Sequence, residues 1–334
     1  MEIRWGVVGL GIHASDRMLP ALARSRYGRL AGVYSRRSET TEAIARSYGA
    51  RAYPAFDVML EDPDVHAVYL ATPNDLHRDQ TIRAAAAGKH VLVEKPMALS
   101  VEDAAAMVRA CADARVRLYV GFHLRFHPAH RRARSLVAAG EIGEIIWAGA
   151  RWTSQRPADQ GWRLDPVRAG GTLLTARGVH LVDLIRFVCG TEFRTVSGCS
   201  DGLREEAPTD NTTTATGELA SGGFAHCVCS RLVTGSSNDL EICGTRGTIV
   251  CRSTIAVDPA GTMVLRKDGS ERALSFDRCD LSAEQIDWVS GAIAGRDVEA
   301  IGADGQAGGR VTAVTVGVIE SVRSAKTVAL HYPF

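Results

Sequence analysis

The sequence lacks the cysteine spacing that marks a structural metal site or a redox pair. Its eight cysteines are scattered, and no two of them form a C-x-x-C motif. Cys227 and Cys229 alternate on a predicted strand and therefore share one face of it. This usage is typical of a reduced, cytoplasmic set of thiols. We therefore expect neither a disulfide framework nor a bound metal.

An excess of charge of either sign is also lacking. Lys and Arg number 39 and Asp and Glu number 38, so the formal net charge at pH 7 is +1. No apolar run approaches the roughly 20 residues that a membrane-spanning helix needs. The first residues, MEIRWGVVGLG, predict a strand and a turn rather than a secretory leader. We expect no nucleic-acid partner and no membrane association.

Strand and helix patterns alternate over the first 120 residues or so. Ser38, Asn74 and Ser100 are predicted N-caps of intervening helices. The alternation predicts a parallel, doubly wound sheet. The five predicted strands are Ile3–Val8, Leu30–Tyr34, Val65–Ala71, His90–Val93 and Leu118–Gly121.

The pattern changes after about residue 145, where short segments alternate apolar and polar residues. They are rich in Val, Thr and Cys and are joined by glycine-containing turns, so they predict a mostly antiparallel sheet. A stretch with helical spacing, Asp304–Ser324, follows them. The segments are TTTATGEL, GFAHCVCSRLV, LEICG, GTIVCRS and TMVLRK.

The motif VVGLGIHA lies between the first strand and the first helix. It places Gly9, Gly11 and Ala14 in the spacing G-x-G-x-x-A. Glycines at these positions let the backbone approach a pyrophosphate, which then lies at the helix N-terminus. We interpret the motif as a dinucleotide fingerprint, with Ile12 and His13 also at the cofactor; a plain tight turn is the alternative.

The motif VYSRRS ends the second predicted strand. A cofactor with a free ribose 2′-hydroxyl usually meets Asp or Glu here, whereas this sequence has Ser35, Arg36 and Arg37. A hydroxyl and two guanidinium groups suit a 2′-phosphate, so we expect NADP(H) rather than NAD(H). The alternative is a solvated basic loop.

Two further motifs, ATPNDLH and EKP, follow the third and fourth strands. The carboxyl ends of parallel strands face the ligand crevice. His77 either reaches the nicotinamide or lies on the helix surface, and Lys95 would project towards the nicotinamide, where a lysine polarises a carbonyl and shuttles a proton. We expect the cofactor to contact Thr72, Pro73, Asn74, His77, Glu94 and Lys95.

Together these motifs resemble the glucose–fructose oxidoreductase, inositol dehydrogenase and rhizopine-catabolism family (Gfo/Idh/MocA). The resemblance spans essentially the whole chain and includes GFHLRFHPA, GEIGEI and GG…GVHLVD. It implies an α/β protein with a Rossmann domain over residues 1–121. It also implies an α+β domain over residues 122–334, whose large, open, mostly antiparallel sheet forms a homodimer or homotetramer. It further implies an NAD(P)-dependent oxidoreductase acting on a sugar, a cyclitol or a related polyhydroxylated ring.

The resemblance also assigns roles to single residues. The EKP lysine, Lys95, corresponds to the family's catalytic lysine, and the GVH histidine, His180, to its usual acid/base. The segment QGWRLD resembles the 1,5-anhydrofructose reductase branch, in which the residues matching Trp162 and Arg163 approach the cofactor and substrate. His123, after the fifth strand, is expected to border the nicotinamide and the substrate.

The sequence predicts the roles of three nearby residues less specifically. Asp183 follows His180 by three residues, so it orients the imidazole at the substrate or else ties its helix to the Rossmann domain. His127 and His130 are expected on the surface of the helix that follows the fifth strand.

One departure from the family pattern concerns the residue four positions before His180. The family often has Asp there, as in L-L-D-x-G-V-H, whereas this chain has Ala176. Hydride transfer does not depend on that Asp, because Lys95 and His180 remain. The departure keeps open one alternative, a catalytically silent NADP-binding regulatory protein. A second alternative, independent of Ala176, is a lyase or glycoside hydrolase that oxidises transiently on a retained NAD.

Overall fold

The computed structural model describes residues 1–155, 161–171, 173–202, 210–256, 258 and 260–334. Cα packing divides the chain into two units. The first contains Met1–Phe122, Ser282–Gly309 and Phe334, and the second contains His123–Leu281 and Arg310–Pro333. Each unit is described separately below.

The first 122 residues alternate strands and helices. A π-helical turn, Ala14–Met18, precedes α1, and a 3₁₀ turn, Asn74–Leu76, precedes α4. The regular elements are β1 (Ile3–Val8), α1 (Leu19–Arg24), β2 (Gly28–Tyr34), α2 (Ser38–Tyr48), β3 (Arg51–Ala52), α3 (Phe56–Glu61), β4 (Ala67–Leu70), α4 (His77–Ala86), β5 (His90–Val93), α5 (Val101–Asp113) and β6 (Leu118–Val120).

The remaining elements continue in chain order. A 3₁₀ turn (His123–Phe126) precedes α6, another (Gly161–Leu164) precedes α7, and a π-helical turn (Leu174–Gly178) leads into α8. The elements are α6 (Pro128–Ala138), β7 (Ile145–Thr153), α7 (Pro166–Ala169), α8 (Val179–Cys189), β8 (Thr195–Ser200), β9 (Thr212–Glu218), β10 (Phe224–Ser230), β11 (Leu240–Gly244), β12 (Gly247–Arg252), β13 (Thr262–Lys267), β14 (Ser270–Ala273), α9 (Leu281–Ile293), β15 (Ala303–Asp304), α10 (Gly305–Ser324) and β16 (Val328–Ala329).

The sheet of the first unit has the order β15-β6-β5-β4-β1-β2-β3. Strands β1 to β6 are parallel, and β15 pairs antiparallel with β6. Trp5, Tyr69 and Leu92 are buried in its core, as expected of a parallel sheet with both faces covered. The chain turns from β1 to β2 on one side and to β4 on the other, which creates a crevice at the carboxyl edge. All four sequence motifs follow strands at this edge.

The first unit also contains helix α9, which the expected boundary near residue 121 assigns to the second domain. Helix α9 contributes Ile286 and Val289 to the same hydrophobic core as β1. Trp5 Nε1 donates to Ser290 Oγ at 2.9 Å, and Ser25 Oγ donates to Asp287 Oδ1 at 2.5 Å. By these contacts residues 282–309 pack with the Rossmann sheet, and the domain boundary near residue 121 stays a prediction.

The sheet of the second unit has the order β14-β13-β12-β11-β7-β10-β9-β8-β16. Its pairs are antiparallel except β7 with β10, which run parallel. Helix α8 packs on β7 and β10. Along β10 the residues Ala225, Cys227 and Cys229 are buried. The period-2 segments are thus confirmed as strands of a mostly antiparallel sheet.

His127 and His130 are both fully buried. The expectation that they lie on the surface of α6 was therefore wrong. His130 Nδ1 lies 2.8 Å from Leu124 O and its Nε2 lies 2.9 Å from Thr254 Oγ1. His127 Nδ1 accepts from Ala129 N at 3.1 Å, which caps the helix. Burial in these positions lowers the pKa of His127 to about 4 and that of His130 to about 3.

The predicted helix caps are partly confirmed. Ser100 accepts a hydrogen bond from Asp103 N at 3.1 Å and caps α5 as expected. Ser38 and Asn74 were wrong as N-caps, because each already belongs to the helical turn and the cap positions fall on Arg37 and Pro73. Over the described ranges, no helix is both long enough and apolar enough to cross a membrane.

Candidate active site

The fingerprint turn is shaped by Gly9. This residue has φ +90°, and a Cβ added to it would lie 2.6 Å from Ala71 O. Its N–H donates to Tyr34 O at 2.9 Å, so the ends of β1, β2 and β4 converge on it. At Gly11 an added Cβ would meet nothing within 4 Å, and Ile12 is 82% exposed. The backbone here therefore faces open space in which a pyrophosphate fits.

The turn after β2 exposes two guanidinium groups. Arg36 and Arg37 are both exposed, and among the residues that the structure describes neither pairs with a carboxylate. The Ser35 hydroxyl points into the turn instead, 2.9 Å from Thr41 Oγ1 and 3.1 Å from Arg37 O. The two arginines are thus open to solvent on this turn, whereas the Ser35 hydroxyl is engaged within it.

The EKP motif presents a buried carboxylate beside a lysine. Glu94 Oε1 accepts from Tyr69 Oη at 2.7 Å and lies 3.3 Å from His13 Nε2, and Glu94 Oε2 accepts from Lys95 N at 3.3 Å. Burial alone would raise the pKa of Glu94, but the charges of His13 and Lys95 and the bonds from His13 and Tyr69 hold it at about 2. Glu94 is therefore ionised and ties the fingerprint helix to the end of β5. Lys95 is half-buried.

His77 is fully buried and therefore does not lie on the surface of α4. Its Nδ1 lies 2.9 Å from Pro96 O and its Nε2 lies 3.1 Å from Thr72 O. Burial lowers the pKa of His77. The ring links the ATPNDLH turn to the residue after Lys95, and the Lys95–Pro96 peptide bond is cis. Both ring nitrogens face backbone carbonyl oxygens. The expected contact between His77 and the nicotinamide stays a prediction.

In the second unit, His180 lies in a cluster of rings with His123 and Trp152. The centroids of His180 and His123 are 4.8 Å apart, and those of His180 and Trp152 are 5.4 Å apart. His180 and His123 are 2% and 7% exposed. No sequence motif indicates Trp152, although its alternation with Ala148 and Ala150 along β7 places it on the face that α8 covers.

Arg177 is a second residue of this site that no sequence motif indicates. Its guanidinium lies 5.8 Å from the centre of the Trp152 ring. It donates to Ser230 O at 3.0 Å and to Ser154 Oγ at 2.7 Å. The side chain is 6% exposed. The ring cluster is therefore bordered by a buried cation held on the ends of β7 and β10.

The segment before His180 is a π-helical turn rather than α-helix. Asp210, which is fully buried, accepts from Leu173 N at 2.7 Å and from Leu174 N at 2.8 Å at the start of this segment. The wider turn means that the i, i+4 relation of an α-helix does not hold strictly between Ala176 and His180. Turns of this kind are frequent at functional sites.

The remaining predicted site residues have defined positions. Asp183 is 1% exposed, and both of its carboxylate oxygens accept from Arg125, at 2.8 Å and 2.6 Å. This bidentate pair fixes α8 to the 3₁₀ turn that carries His123, within the second unit rather than to the Rossmann domain. Trp162 and Arg163 lie on the 3₁₀ turn Gly161–Leu164, where the guanidinium stacks 4.7 Å from the indole centre.

Comparison with known protein families identifies both parts of the chain. Residues 3–122 match the oxidoreductase family with an NAD-binding Rossmann fold, and residues 130–250 match the GFO/IDH/MocA C-terminal domain. The chain belongs to the GFO/IDH/MocA family. It is accordingly an NAD(P)-dependent oxidoreductase, and the expected family and fold class are confirmed.

Several GFO/IDH/MocA relatives are similar over most of their length. A 1,5-anhydro-D-fructose reductase of Ensifer adhaerens is 34% identical over 90% of this chain and 92% of its own. A D-xylose 1-dehydrogenase (NADP(+)) of Haloferax volcanii is 30% identical over 86% and 87%. The solved structure of an aldose-aldose oxidoreductase from Caulobacter crescentus, complexed with glycerol, superposes with a TM-score of 0.90 at 27% identity, covering 99% of this chain and 100% of the other.

Proposed function

We propose that this GFO/IDH/MocA member is an NADP(H)-dependent oxidoreductase that acts on a carbonyl or alcohol carbon of a sugar, a cyclitol or a related ring. The observation that carries the proposal is the carboxyl edge of the first sheet. There a glycine cradle at Gly9 and Gly11 follows β1, the exposed arginines follow β2, and Lys95 follows β5 of the same sheet. The named activities of the relatives support the substrate class.

The cofactor preference follows from the turn after β2. The position that usually holds an acidic ribose reader has Ser35, and two exposed guanidiniums follow it. A carboxylate there would repel a 2′-phosphate, whereas arginines bind it with charge-assisted hydrogen bonds. The backbone at Gly9 to His13, together with Thr72, Pro73, Asn74 and Glu94, would hold the rest of the cofactor. Trp162 and Arg163 are proposed as further contacts of the cofactor.

The chemistry assigned to this chain's residues is polarisation and proton transfer. When bound, the cofactor would supply the hydride for reduction or accept it in oxidation. In the direction of reduction, the Lys95 ammonium donates a hydrogen bond to the substrate carbonyl oxygen and His180 supplies the proton to that oxygen. In oxidation, His180 takes the hydroxyl proton. A positioned group of this kind typically accelerates a reaction by about 10²–10⁴-fold.

The ring cluster suits a polyhydroxylated ring. The flat face of Trp152 packs against C–H groups, while imidazoles such as His123 exchange hydrogen bonds with hydroxyls. Arg163 is proposed to bind substrate as well. Asp183 acts indirectly in this scheme, because its carboxylate is held by Arg125 and therefore positions the helix of His180.

The test is turnover on a defined panel. Purified protein is mixed with NADPH or NADH and with 1,5-anhydrofructose, aldoses, ketosugars and inosose, and absorbance at 340 nm is followed; the reverse reaction uses NADP⁺ and the alcohols. We expect turnover of at least one ring substrate, faster with NADPH. Tight binding of NADP(H) with no turnover on any panel member would contradict the proposal and favour a silent binding protein. Catalysis on a cofactor that stays bound without net redox change would favour the lyase or hydrolase.

We also propose that the face of the nine-stranded sheet opposite α8 joins copies of the chain into a dimer or tetramer. Alternation along β7 and β10 places Trp147 and His226 on the face opposite α8, where their rings stack with centroids 6.2 Å apart. Phe224 on the same face is 59% exposed. Light scattering over a hundredfold range of concentration should give an oligomer, and Phe224→Glu should weaken it. A monomer at every concentration would refute this assembly.

A further inference from the structure

The turn between β2 and α2 is closed by a residue outside the recognised motif. Thr41, six residues after Ser35, is 3% exposed. Its Oγ1 accepts from Ser35 N at 3.0 Å and lies 2.9 Å from Ser35 Oγ. The same oxygen lies 3.0 Å from Arg37 O and 3.3 Å from Ser35 O. One buried hydroxyl thus contacts both ends of the segment whose middle residue is Arg36.

The protons available in this turn decide which groups can face a phosphate. Each hydroxyl has one proton to donate. Two hydroxyl protons serve the three contacts among Ser35 Oγ, Thr41 Oγ1 and Arg37 O, so both are used inside the turn in whichever way they are shared. Arg37 O also accepts from Thr41 N at 3.0 Å, so the first turn of α2 holds the same carbonyl. The Ser35 proton is then used inside the turn, and a phosphate must be bound by the guanidiniums that follow.

We propose that Thr41 is a positioning residue for recognition of the 2′-phosphate of NADP(H). It fixes the turn in the conformation from which Arg36 and Arg37 reach the phosphate. Long arginine side chains already lose rotamer entropy on binding, so a mobile backbone beneath them would weaken the contact further. NAD(H) has no 2′-phosphate, so its affinity does not depend on this arrangement. The inference rests on the proposed NADP(H) preference.

The experiment compares three substitutions in the full-length protein. Thr41→Val keeps the shape of the side chain and removes the hydroxyl, Thr41→Ser restores the hydroxyl, and Thr40→Val removes a neighbouring hydroxyl on the same helix. NADPH and NADH are titrated by cofactor fluorescence, and 2′,5′-ADP competition gives a phosphate-specific affinity. We expect Thr41→Val to lower the NADPH/NADH affinity ratio roughly tenfold, which corresponds to about 1.4 kcal/mol. Thr41→Ser and Thr40→Val should keep the ratio within about twofold.

The outcomes separate this inference from the cofactor proposal. A loss of affinity for both cofactors in equal proportion would show that Thr41 only stabilises the fold, and would overturn the inference. A ratio that survives Thr41→Val while Arg36→Ala abolishes it would overturn the inference alone. A wild-type protein that binds both cofactors equally would overturn the NADP(H) preference and, with it, the role of Thr41.

Discussion

The two units place their candidate site residues in different ways. In the first unit each residue follows a strand directly: Gly9 follows β1, Ser35 follows β2, Thr72 lies just past β4 and Lys95 follows β5. In the second unit the ring cluster joins residues from a 3₁₀ turn, a central strand and a helix that are far apart in sequence. A parallel sheet thus gathers a site from local turns, whereas the second unit needs correct long-range packing.

The candidate site residues of the two units also differ in their exposure to solvent. Arg36 and Arg37 are exposed, and Ile12 is 82% exposed, so changes there act on ligand binding with little effect on the fold. His180, His123 and Arg177 are all less than a tenth exposed. Substitutions among them change packing as well as chemistry. Experiments on the second unit therefore need a measure of folding beside each measure of activity.

The largest effect is expected from removing the two acid/base groups. Lys95→Ala and His180→Ala should each lower kcat by about 10²–10⁴-fold, as expected for positioned proton-transfer groups. The affinity for NADPH should change far less, because neither residue reads the phosphates. Turnover at 340 nm and cofactor titration measure the two quantities, and Lys326→Ala, an exposed lysine, is the control. Near-normal turnover in His180→Ala, with an unchanged melting temperature, would make His180 only a packed residue of α8.

Acidification should destabilise the second unit through the buried histidines of α6. Their pKa values are about 4 (His127) and about 3 (His130) when folded and near 6.5 when unfolded, so only the unfolded chain binds protons between these values. Stability is therefore fully present above about pH 6.5 and falls below it, by up to about 1.4 kcal/mol per pH unit for each histidine.

Urea unfolding at pH 7.5, 6.5 and 5.5 measures this dependence. His130→Gln should remove roughly half of the slope of unfolding free energy against pH that His127 and His130 contribute together. His331→Gln, at an exposed position, should leave the slope unchanged. An identical slope in wild type and His130→Gln would show that His130 takes up its proton without unfolding.

A smaller effect is expected at the exposed arginines of the first unit. Arg36→Ala should weaken NADPH binding by about tenfold and leave NADH binding nearly unchanged, because it removes one charge-assisted contact with the 2′-phosphate. The loss should shrink at high salt, since an exposed contact is screened. Arg46→Ala on α2, which removes an arginine paired with Glu42 at 3.7 Å, is the matched control. Equal weakening of both cofactors would count against phosphate recognition.

An effect of similar size, but on substrate preference alone, concerns Ala176. Ala176→Asp should lower kcat/KM for the true substrate by roughly tenfold, because a carboxylate beside the site lacks its hydroxyl partner there. Analogues with one more hydroxyl should be favoured in return. Ala176→Asn gives the same size without the charge. No change of preference in either variant would show that the π-helical turn directs this position away from the substrate.

The main features of the first unit could be predicted from sequence because they are local. The strand His90–Val93 was predicted with its observed bounds, and the Gly9 turn, the Ser100 cap and the cluster of arginines after β2 follow from motifs of a few residues. Helix α9 could not be assigned to this unit. Its packing on β1 depends on contacts between residues far apart in sequence, such as Trp5 and Ser290, which are 285 positions apart.

Less of the second unit could be predicted from the sequence. Its central strand β7 has the irregular sequence IIWAGARWT, in which Gly149 leaves room for the Trp147 ring: a Cβ on this glycine would lie 2.6 Å from the indole. Alternation alone therefore missed the strand and, with it, Trp152. The burial of His127 and His130 also depends on groups from distant strands and turns, including Thr254 and Ala260.

The sequence by itself determined the family, the two fold types and the chemistry available at the ends of the parallel strands, because each depends on backbone preferences and spacing within short segments. Tertiary structure alone decided which side chains those segments commit to the fold. His77 and Asp183 look like site residues in sequence, but their polar atoms are bound by Thr72, Pro96 and Arg125. A buried polar group must find a partner, and only the folded chain determines which partner is within reach.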